Sequence, residues 1–316
     1  MNFRWRLWTA LFCCLSTTAI AAPAKKKSAK IRTEPAVRAL PSRGPDRAIR
    51  ALPALPPEPE ILPGGVPATR AAAVIVIDAR NGEVLYEKNA DARRAPASTQ
   101  KLLTALIVAE RGYLDQSITI LPTDTYAEPT KLGLKAGESY RRIDLLRALL
   151  VKSPNDVAKA LARDSAGSVE AFAALMNQRA RMAGAMNSNF RNPNGLPDPG
   201  QFSSARDLSL IARAAYANST IRSIVSLPTT VFRFNDGRTR ELENTNKVLK
   251  RLPYCNGMKT GYTDSAGSCL ISSAARPGRD VIVVLLGHTK PRLWQDSAAF
   301  LTWALWRNPT LAGAVP

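Results

Sequence analysis

The sequence predicts an α+β fold with one antiparallel sheet that is assembled from both ends of a single large domain. Strand-type apolar runs occur near residue 73 and again from residue 229 onwards, with helical patterns between them. The late runs follow one another with short turns, which favours antiparallel pairing over the long crossovers that parallel strands need. A chain of 316 residues is long enough to bury a core of this size.

The first predicted elements are a hairpin and three helices. Residues 73–78 form an apolar β-type run, Asn81-Gly82 is a hairpin-turn dipeptide, and residues 83–87 return as a second strand. Helical spacing of apolar residues then predicts one helix around residues 102–107 and two more over residues 143–151 and 156–163.

The second half of the domain contains a capped helix, further strands and a final helix. Ser204 with Asp207 is a capping-box signature ahead of an apolar helical pattern. The later predicted elements are strands over residues 229–234, 254–260, 268–274 and 281–286, and an amphipathic helix over residues 293–306.

Composition divides the rest of the chain. Residues 1–22 combine Arg4 and Arg6 with an apolar stretch and a small-residue end, which is typical of a cleaved signal peptide. Residues 23–70 hold ten prolines and ten Lys+Arg but no aromatic residue, which predicts a disordered basic linker. We therefore expect the domain over residues 71–308, a tail over 309–316, a periplasmic location, and no stable membrane anchor after signal cleavage.

The formal net charge of +19 and the single histidine limit the classes of partner and of catalytic site that the protein can have. The charge suits an anionic cell envelope, and for an exported protein we expect no nucleic-acid partner. One histidine cannot supply a histidine metal cluster or a Ser-His-Asp triad supported by a second histidine. We expect no metal and no cofactor, and a lysine or carboxylate as the base of any hydrolase. His288 itself, in Gly287-His288-Thr289-Lys290, is expected at a surface turn.

Ser98-Thr99-Gln100-Lys101 is the first segment that suggests chemistry. Ser98 and Lys101 are three residues apart at the start of a predicted helix, so their side chains share a face and the amine can take the hydroxyl proton. The same pattern also fits a serine that caps a helix and a lysine in solvent.

Two later segments also suggest chemistry. Ser153-Pro154-Asn155 separates two helical patterns, and Lys259-Thr260-Gly261 ends a predicted strand where glycine permits close approach of a ligand. Separately, these segments also fit a helix N-cap and an edge strand protected by a lysine. Their order and spacing together carry more information than any one of them.

In this order, S-x-x-K, S-x-N and K-T-G resemble the motifs of the penicillin-binding serine D-Ala-D-Ala carboxypeptidases, the low-molecular-mass penicillin-binding proteins of peptidase family S11. The resemblance covers about residues 71–306 and includes residues 78–85, 192–196 and 259–264. It implies a β-lactamase/penicillin-binding-protein-like fold, with a five-stranded antiparallel sheet flanked by helices, an all-helical lobe, and an active site in the groove between them.

The resemblance also implies roles. Ser98 would attack the bond between two terminal D-alanines of peptidoglycan stem pentapeptides and form an acyl-enzyme, as it would with β-lactam inhibitors. Lys101, kept neutral by burial and by Lys259, would be the base, and Ser153 would pass the proton to the leaving D-alanine. The backbone N–H groups of Ser98 and Tyr262 would hold the oxyanion. The implied substrate-binding residues are Asn155, Lys259, Thr260, Gly261 and Tyr262.

Alternative functions are weighed on the same residues. A D-Ala-meso-diaminopimelate endopeptidase with this fold remains open. A class A β-lactamase is disfavoured because no glutamate lies between Glu170 and Glu241 to activate the deacylating water. A non-catalytic peptidoglycan-binding scaffold is disfavoured because Ser98, Lys101, Ser153 and Lys259 are all intact.

Four further expectations concern individual residues. Cys255 and Cys269 would lie opposite each other across a hairpin centred near Tyr262, which suggests a disulfide in an oxidising compartment. Arg292 lies near a region where the family often has a basic residue beside the substrate carboxylate. Pro154 stands where the family often has a small residue, and it would stiffen the approach to Asn155. Tryptophans of the last helix are expected to pack against the sheet: Trp294, Trp303 and Trp306.

Overall fold

The computed structural model describes residues 61–289 and 291–307. The predicted signal peptide, residues 23–60 of the predicted linker and the predicted tail lie outside these residues. Residues 66–70 pack against the domain: Val66 packs on the smaller core, Pro67 is buried, and Thr69 Oγ1 donates a hydrogen bond to Asp296 Oδ2 at 2.8 Å. Folded structure therefore begins before residue 71, where we expected it to start.

The core of the fold is a five-stranded antiparallel sheet with strand order β2-β1-β9-β8-β7. Its first two strands come from the start of the domain and its last three from the end, as the sequence predicts. The bounds are β1 (Ala73–Asp78), β2 (Val84–Lys88), β7 (Cys255–Thr263), β8 (Gly267–Arg276) and β9 (Arg279–His288).

Both faces of the sheet are covered, which explains why the buried stretches of β1 and β9, residues 73–77 and 281–286, are apolar without interruption. In β9, Ile282 and Val284 face a core formed with most of the helices, while Val281 and Val283 face a smaller core on the other side. The helix over Leu293–Trp306 packs on that second side, against β8 and β9.

Helices cover both cores, with the last helix on the smaller one, and two short β pairs accompany them. The helices are α1 (Lys101–Arg111), α2 (Pro122–Thr125), α3 (Arg142–Lys152), α4 (Asn155–Ala166), α5 (Val169–Met182), α6 (Ala205–Ala217), α7 (Ser219–Val225) and α8 (Leu293–Trp306). The pairs are β3 (Ser117–Thr119) with β4 (Ser139–Arg141) and β5 (Thr229–Arg233) with β6 (Thr239–Glu243). Among the described residues, no helix has both the length and the apolarity needed to cross a bilayer.

The predicted capping box at Ser204 is half formed. Ser204 Oγ accepts from Asp207 N at 3.0 Å, which caps α6. The Asp207 carboxylate instead accepts from Asn187 N and Ser188 Oγ, both at 2.6 Å. Asp207 therefore fixes the neighbouring loop rather than the first turn of its own helix.

The predicted disulfide between Cys255 and Cys269 is wrong. Both cysteines are free and buried. The hairpin turn lies after Thr263, so Cys255 pairs with Ala274 and Cys269 pairs with Gly261. Five residues of strand, about 17 Å, separate the two paired positions. The two thiols also face different cores, so no disulfide can join them.

His288 and one of the tryptophans also differ from expectation. His288 is the last residue of β9 and is 2 % exposed, with Nε2 2.9 Å from Asp296 Oδ2. Its partner comes from α8, which local sequence does not reveal. Trp303 is half-buried beside Tyr86, but Trp306 is 55 % exposed, so the expectation of core packing was wrong for Trp306.

Candidate active site

Ser98 lies in a single 3₁₀ turn, Ala97–Gln100, that leads directly into α1. Ala97 is almost fully buried and has a φ of 48°, a left-handed conformation that is rare for residues with a Cβ. Ser98 is half-buried, and its Oγ lies 3.3 Å from the carbonyl oxygen of Asn194. The tight turn packs the backbone while leaving the Ser98 hydroxyl at the surface of a groove.

Lys101 is fully buried behind Ser98. Its Nζ lies 2.8 Å from Ser98 Oγ, 2.7 Å from Asn155 Oδ1 and 2.7 Å from the carbonyl oxygen of Asn194. The structure thus brings together residues of the first two predicted motifs, and it adds Asn194, for which the sequence suggested no role.

Burial lowers the pKa of Lys101 well below the usual lysine value, because the ammonium form loses its hydration. The positive charge of Lys259 lowers this pKa further, and Asp156 opposes the shift. A neutral amine has two N–H groups and one lone pair. Since the oxygens of Asn155 and Asn194 can only accept, they take the two N–H groups.

The lone pair of a neutral Lys101 is therefore left facing the hydroxyl of Ser98. This arrangement is suited to removing the hydroxyl proton as the oxygen attacks an electrophile. The other contacts of Lys101 prevent rotation of the amine away from Ser98.

Side chains from the start of α1 also bind a run of backbone carbonyls in the segment 192–194, which holds the Asn194 carbonyl in place. The three bonds run from Gln100 Nε2 to Asn192 O at 2.5 Å, from Thr104 Oγ1 to Pro193 O at 2.7 Å, and from Lys101 Nζ to Asn194 O at 2.7 Å.

Two glycines hold the Ser98 backbone between them. A Cβ on Gly195 would lie 2.0 Å from the carbonyl oxygen of Ala97, and a Cβ on Gly261 would lie 2.7 Å from the nitrogen of Ser98. Both distances are far below van der Waals contact. Any larger residue at Gly195 or Gly261 would therefore displace the turn that carries Ser98.

Ser153 ends α3 in a left-handed conformation, with a φ of 69°. Its Oγ is buried and has no hydrogen-bond partner among the described residues, although Ser153 lines the groove. A strained residue with an unpaired buried hydroxyl is typical of a functional position. Pro154 follows with an extended backbone, and Asn155 begins α4 with its side chain on Lys101, so the proline does not prevent that contact.

The third motif lies on β7, the edge strand of the sheet. Lys259 is fully buried, and burial lowers its pKa to about 7. Its Nζ donates to the Thr260 carbonyl oxygen at 3.0 Å, while Thr260 Oγ1 donates to Thr245 Oγ1 at 2.7 Å. Tyr262 is 56 % exposed, and its Oη donates to Asp264 at 3.0 Å.

The three motifs meet at a groove of about 330 Å³. The sequence-predicted residues that line it are Ser98, Ser153, Asn155, Thr260, Gly261 and Tyr262. Lys101 and Lys259 are buried, and Lys101 contacts Ser98 from behind. Trp294 and Leu293 close one side, and Arg292, next to them in sequence, has its Nε 3.5 Å from Asp296 Oδ1. For Arg292, contact with the substrate and a solvated side chain both stay open.

Besides Asn194, sequence reasoning missed two contributors to the site. Asp156 is fully buried, and its carboxylate accepts from the backbone N–H groups of Leu132, Gly133 and Leu134, which fixes the loop beside Asn155. Thr245 orients Thr260. Asp156 directly follows the S-x-N motif, so its position was a usable signal, whereas Thr245 had none. Among the described residues, no cluster of three or more potential metal-ligating His, Cys, Asp or Glu side chains occurs.

The sequence of this chain is similar to proteins of one known peptidase family. The peptidase S11 family, described as D-alanyl-D-alanine carboxypeptidase, matches residues 63–290. The chain is 34 % identical over 259 residues to the D-alanyl-D-alanine carboxypeptidase DacB2 of Mycobacterium tuberculosis, covering 79 % of this chain and 88 % of that protein. It is 32 % identical over 230 residues to DacF of Bacillus subtilis, covering 71 % of this chain but only 59 % of that longer relative.

A solved crystal structure of similar sequence has a similar fold. The crystal structure of a D-alanyl-D-alanine carboxypeptidase from Mycobacterium tuberculosis H37Rv superposes with a TM-score of 0.74 at 32 % identity. The match covers 80 % of this chain and 97 % of that chain.

Proposed function

From the premise that this chain belongs to the D-alanyl-D-alanine carboxypeptidase family, peptidase S11, we propose that it removes the terminal D-alanine from peptidoglycan stem pentapeptides. The reaction proceeds through an acyl-enzyme on Ser98, and β-lactams acylate the same serine. The observation that carries the proposal is the position of Lys101 Nζ, 2.8 Å from Ser98 Oγ with its other contacts made to two acceptor oxygens.

In the first step, Ser98 Oγ attacks the carbonyl carbon of the penultimate D-alanine and its proton passes to neutral Lys101. Backbone N–H groups of Ser98 and Tyr262 stabilise the oxyanion. The packing of Gly195 and Gly261 against the Ser98 turn supports this role, because it fixes the position of the Ser98 nitrogen.

In the second step, the C–N bond breaks and the leaving amine takes a proton from Lys101 through the hydroxyl of Ser153. Ser153 is held in a left-handed conformation and its Oγ is unpaired, so this hydroxyl can bind both the amine of Lys101 and the leaving amine of the substrate. Both features support the relay. Water then attacks the ester carbonyl while Lys101 accepts its proton, and that proton passes to Ser98 Oγ as the acyl–oxygen bond breaks, which restores the serine and neutral Lys101.

The substrate carboxylate binds at the β7 side of the groove, to Thr260 Oγ1 and the ammonium of Lys259. Because a bound carboxylate raises the pKa of an adjacent amine, Lys259, with a pKa of about 7, takes up a proton from solvent when the substrate carboxylate binds. Asn155 Nδ2 binds the backbone of the substrate.

We further propose a periplasmic enzyme with residues 1–22 as signal peptide, a basic linker that runs from residue 23 to the packed segment 66–70, the peptidase domain from that segment to residue 308, and a tail over residues 309–316. The formal net charge of +19 supports contact with an anionic cell wall.

The test of the activity is D-alanine release from diacetyl-Lys-D-Ala-D-Ala by the native protein, Ser98→Ala and the control Ser223→Ala, which alters an exposed serine on α7. Release by the native protein and the control, with none from Ser98→Ala, is expected. Cleavage of crosslinked muropeptides without D-alanine release from the tripeptide would assign the groove to an endopeptidase instead.

A further inference from the structure

A second cavity, of about 570 Å³, lies at the opposite end of the sheet from Ser98. Asp280, the second residue of β9, lines it, whereas His288, the last residue of β9, pairs with Ser268 in the groove. Eight residues of strand separate these two positions, which corresponds to about 26 Å. The cavity is therefore separate from the peptidase groove.

Arginines dominate the lining of this second cavity. They come from the turn after β1, from α5, from α6 and from α7: Arg80, Arg179, Arg213 and Arg222. We call the site the arginine cavity. Its volume lies within the range of small-molecule binding sites, about 300 to 1,000 Å³.

Three of these arginines are held by neutral partners. Arg80 Nη1 donates to the Gly278 carbonyl oxygen at 2.6 Å, and Arg213 Nη2 donates to the Arg80 carbonyl oxygen at 2.9 Å. The Arg222 guanidinium lies 5.5 Å from the centre of the Tyr216 ring. Among the described residues, none of the three forms an ion pair with a carboxylate, whereas Arg179 is paired with Glu110 at 2.7 Å.

Carbonyl and ring partners orient a guanidinium without neutralising its charge. Asp280 is the one carboxylate in the described lining, so Arg80, Arg213 and Arg222 leave an excess of two positive charges. A phosphomonoester carries about −1.5 to −2 charges at neutral pH. Its oxygens also match the planar N–H pattern of guanidinium groups.

We propose that the arginine cavity is a second binding site of this protein, which takes a ligand bearing a phosphomonoester group. The match in charge favours a monoester over a phosphodiester, which carries a single charge per phosphate. The volume favours a phosphorylated small molecule or a terminal phosphate over a bare ion.

The test is calorimetric titration of the full chain with glycerol 1-phosphate at low ionic strength. The double variant Arg80→Gln/Arg222→Gln removes two of the three unpaired charges. The control Arg181→Gln removes the same kind of charge from an exposed position on α5 that does not line the cavity. We expect affinity to fall at least tenfold in the double variant and to stay within twofold of native in the control.

Equal loss in the control and the double variant would overturn the proposal, as would absence of glycerol 1-phosphate binding by the native protein. Poly(glycerol phosphate) is a phosphodiester chain. If it binds more tightly than glycerol 1-phosphate, the proposed preference for a phosphomonoester is wrong. Inorganic phosphate, the third probe, is expected to bind more weakly than glycerol 1-phosphate, and equal affinity would overturn the assignment of a small-molecule site.

Two measurements keep this test independent of folding and of the peptidase activity. Circular dichroism and labelling of Ser98 by a fluorescent penicillin should be unchanged in the double variant. The titration itself is repeated in Ser98→Ala protein, where binding of glycerol 1-phosphate is expected to be unaffected.

Discussion

Lys101 Nζ lies 2.8 Å from Ser98 Oγ, at the start of the helix that forms the centre of the larger core. The remaining contacts of Lys101 are to the side-chain oxygen of Asn155 and the carbonyl oxygen of Asn194. Because neither oxygen can donate a hydrogen, the amine has a defined orientation when neutral. This contact between a buried amine and a half-buried hydroxyl supports the proposal that Lys101 activates Ser98 in a chain with one histidine, itself paired with Asp296.

Removing the Asn155 oxygen should reduce the reactivity of Ser98. In Asn155→Ala, one N–H of Lys101 loses its acceptor, and the amine is free to rotate. We expect the rate of β-lactam acylation to fall about 100-fold, the lower range for loss of general-base function. Asn189→Ala, which removes an exposed asparagine contact to Gly200, should acylate at the native rate. Stopped-flow measurement of both variants decides this, and an Asn155→Ala rate within threefold of native would contradict it.

Gly195 and Gly167 form a matched pair for the glycine contact. Their φ angles are 83° and 84°, so both positions lie in the φ range that residues with a Cβ rarely adopt. A Cβ meets open space at Gly167 but lies 2.0 Å from the Ala97 carbonyl oxygen at Gly195. We expect both alanine variants to lose about 1 kcal/mol or more of stability from backbone strain. Only Gly195→Ala should also lose acylation, by at least tenfold, and equal acylation by the two would contradict the steric argument.

Replacing Ser153 by glycine is expected to raise the stability of the protein and to lower its activity. Glycine at this position relieves the left-handed conformation and removes the unpaired hydroxyl. Ser153→Gly should therefore unfold in urea with a free energy about 1 kcal/mol above native. Ser153→Ala removes the hydroxyl but keeps the strain, so it should be stabilised less than Ser153→Gly. Both variants should release D-alanine at least 100-fold more slowly. A stable Ser153→Gly enzyme with native turnover would remove the relay role.

Lys259 should make the stability of the protein depend on pH. Burial lowers its pKa from the ordinary value of 10.5 to about 7, so between these values the unfolded chain binds more protons than the folded one. The free energy of unfolding therefore rises with pH across this window. The cost of burying Lys259 is fully present below pH 7 and absent above pH 10.5. Lys259→Met should be more stable than native at pH 7 and should lose part of this slope.

Urea unfolding at pH 7 and pH 9 measures how the difference in unfolding free energy between native protein and Lys259→Met depends on pH. A stability gap that is the same at both pH values would contradict the burial argument. Lys259→Met should also fail to release D-alanine, because the carboxylate of the substrate loses its cationic partner.

The sequence allowed much of this site to be predicted, for reasons that are local. Ser98 and Lys101 lie one helical turn apart, so their proximity follows from helix geometry alone. The strands that bring Lys259 beside Lys101 were visible as apolar runs, but the length of β7 was not, and the hairpin turn was expected near Tyr262. That error of a few residues produced the wrong disulfide.

Long-range contacts were beyond prediction. The bond between His288 and Asp296 joins β9 to α8, and the bond between Thr260 and Thr245 joins β7 to a loop. The strand β6 was missed because one residue of five, Leu242, is buried. The turn dipeptide Asp236-Gly237, between β5 and β6, was a usable signal for this hairpin.

The central claim is that Ser98 is the nucleophile, and intact-mass measurement after incubation with benzylpenicillin tests it most directly. We expect native protein and Ser223→Ala each to gain the mass of one penicilloyl group, and peptide mapping to locate it on Ser98. Ser98→Ala should gain none. An adduct on Ser98→Ala, or no adduct on native protein, would contradict the account.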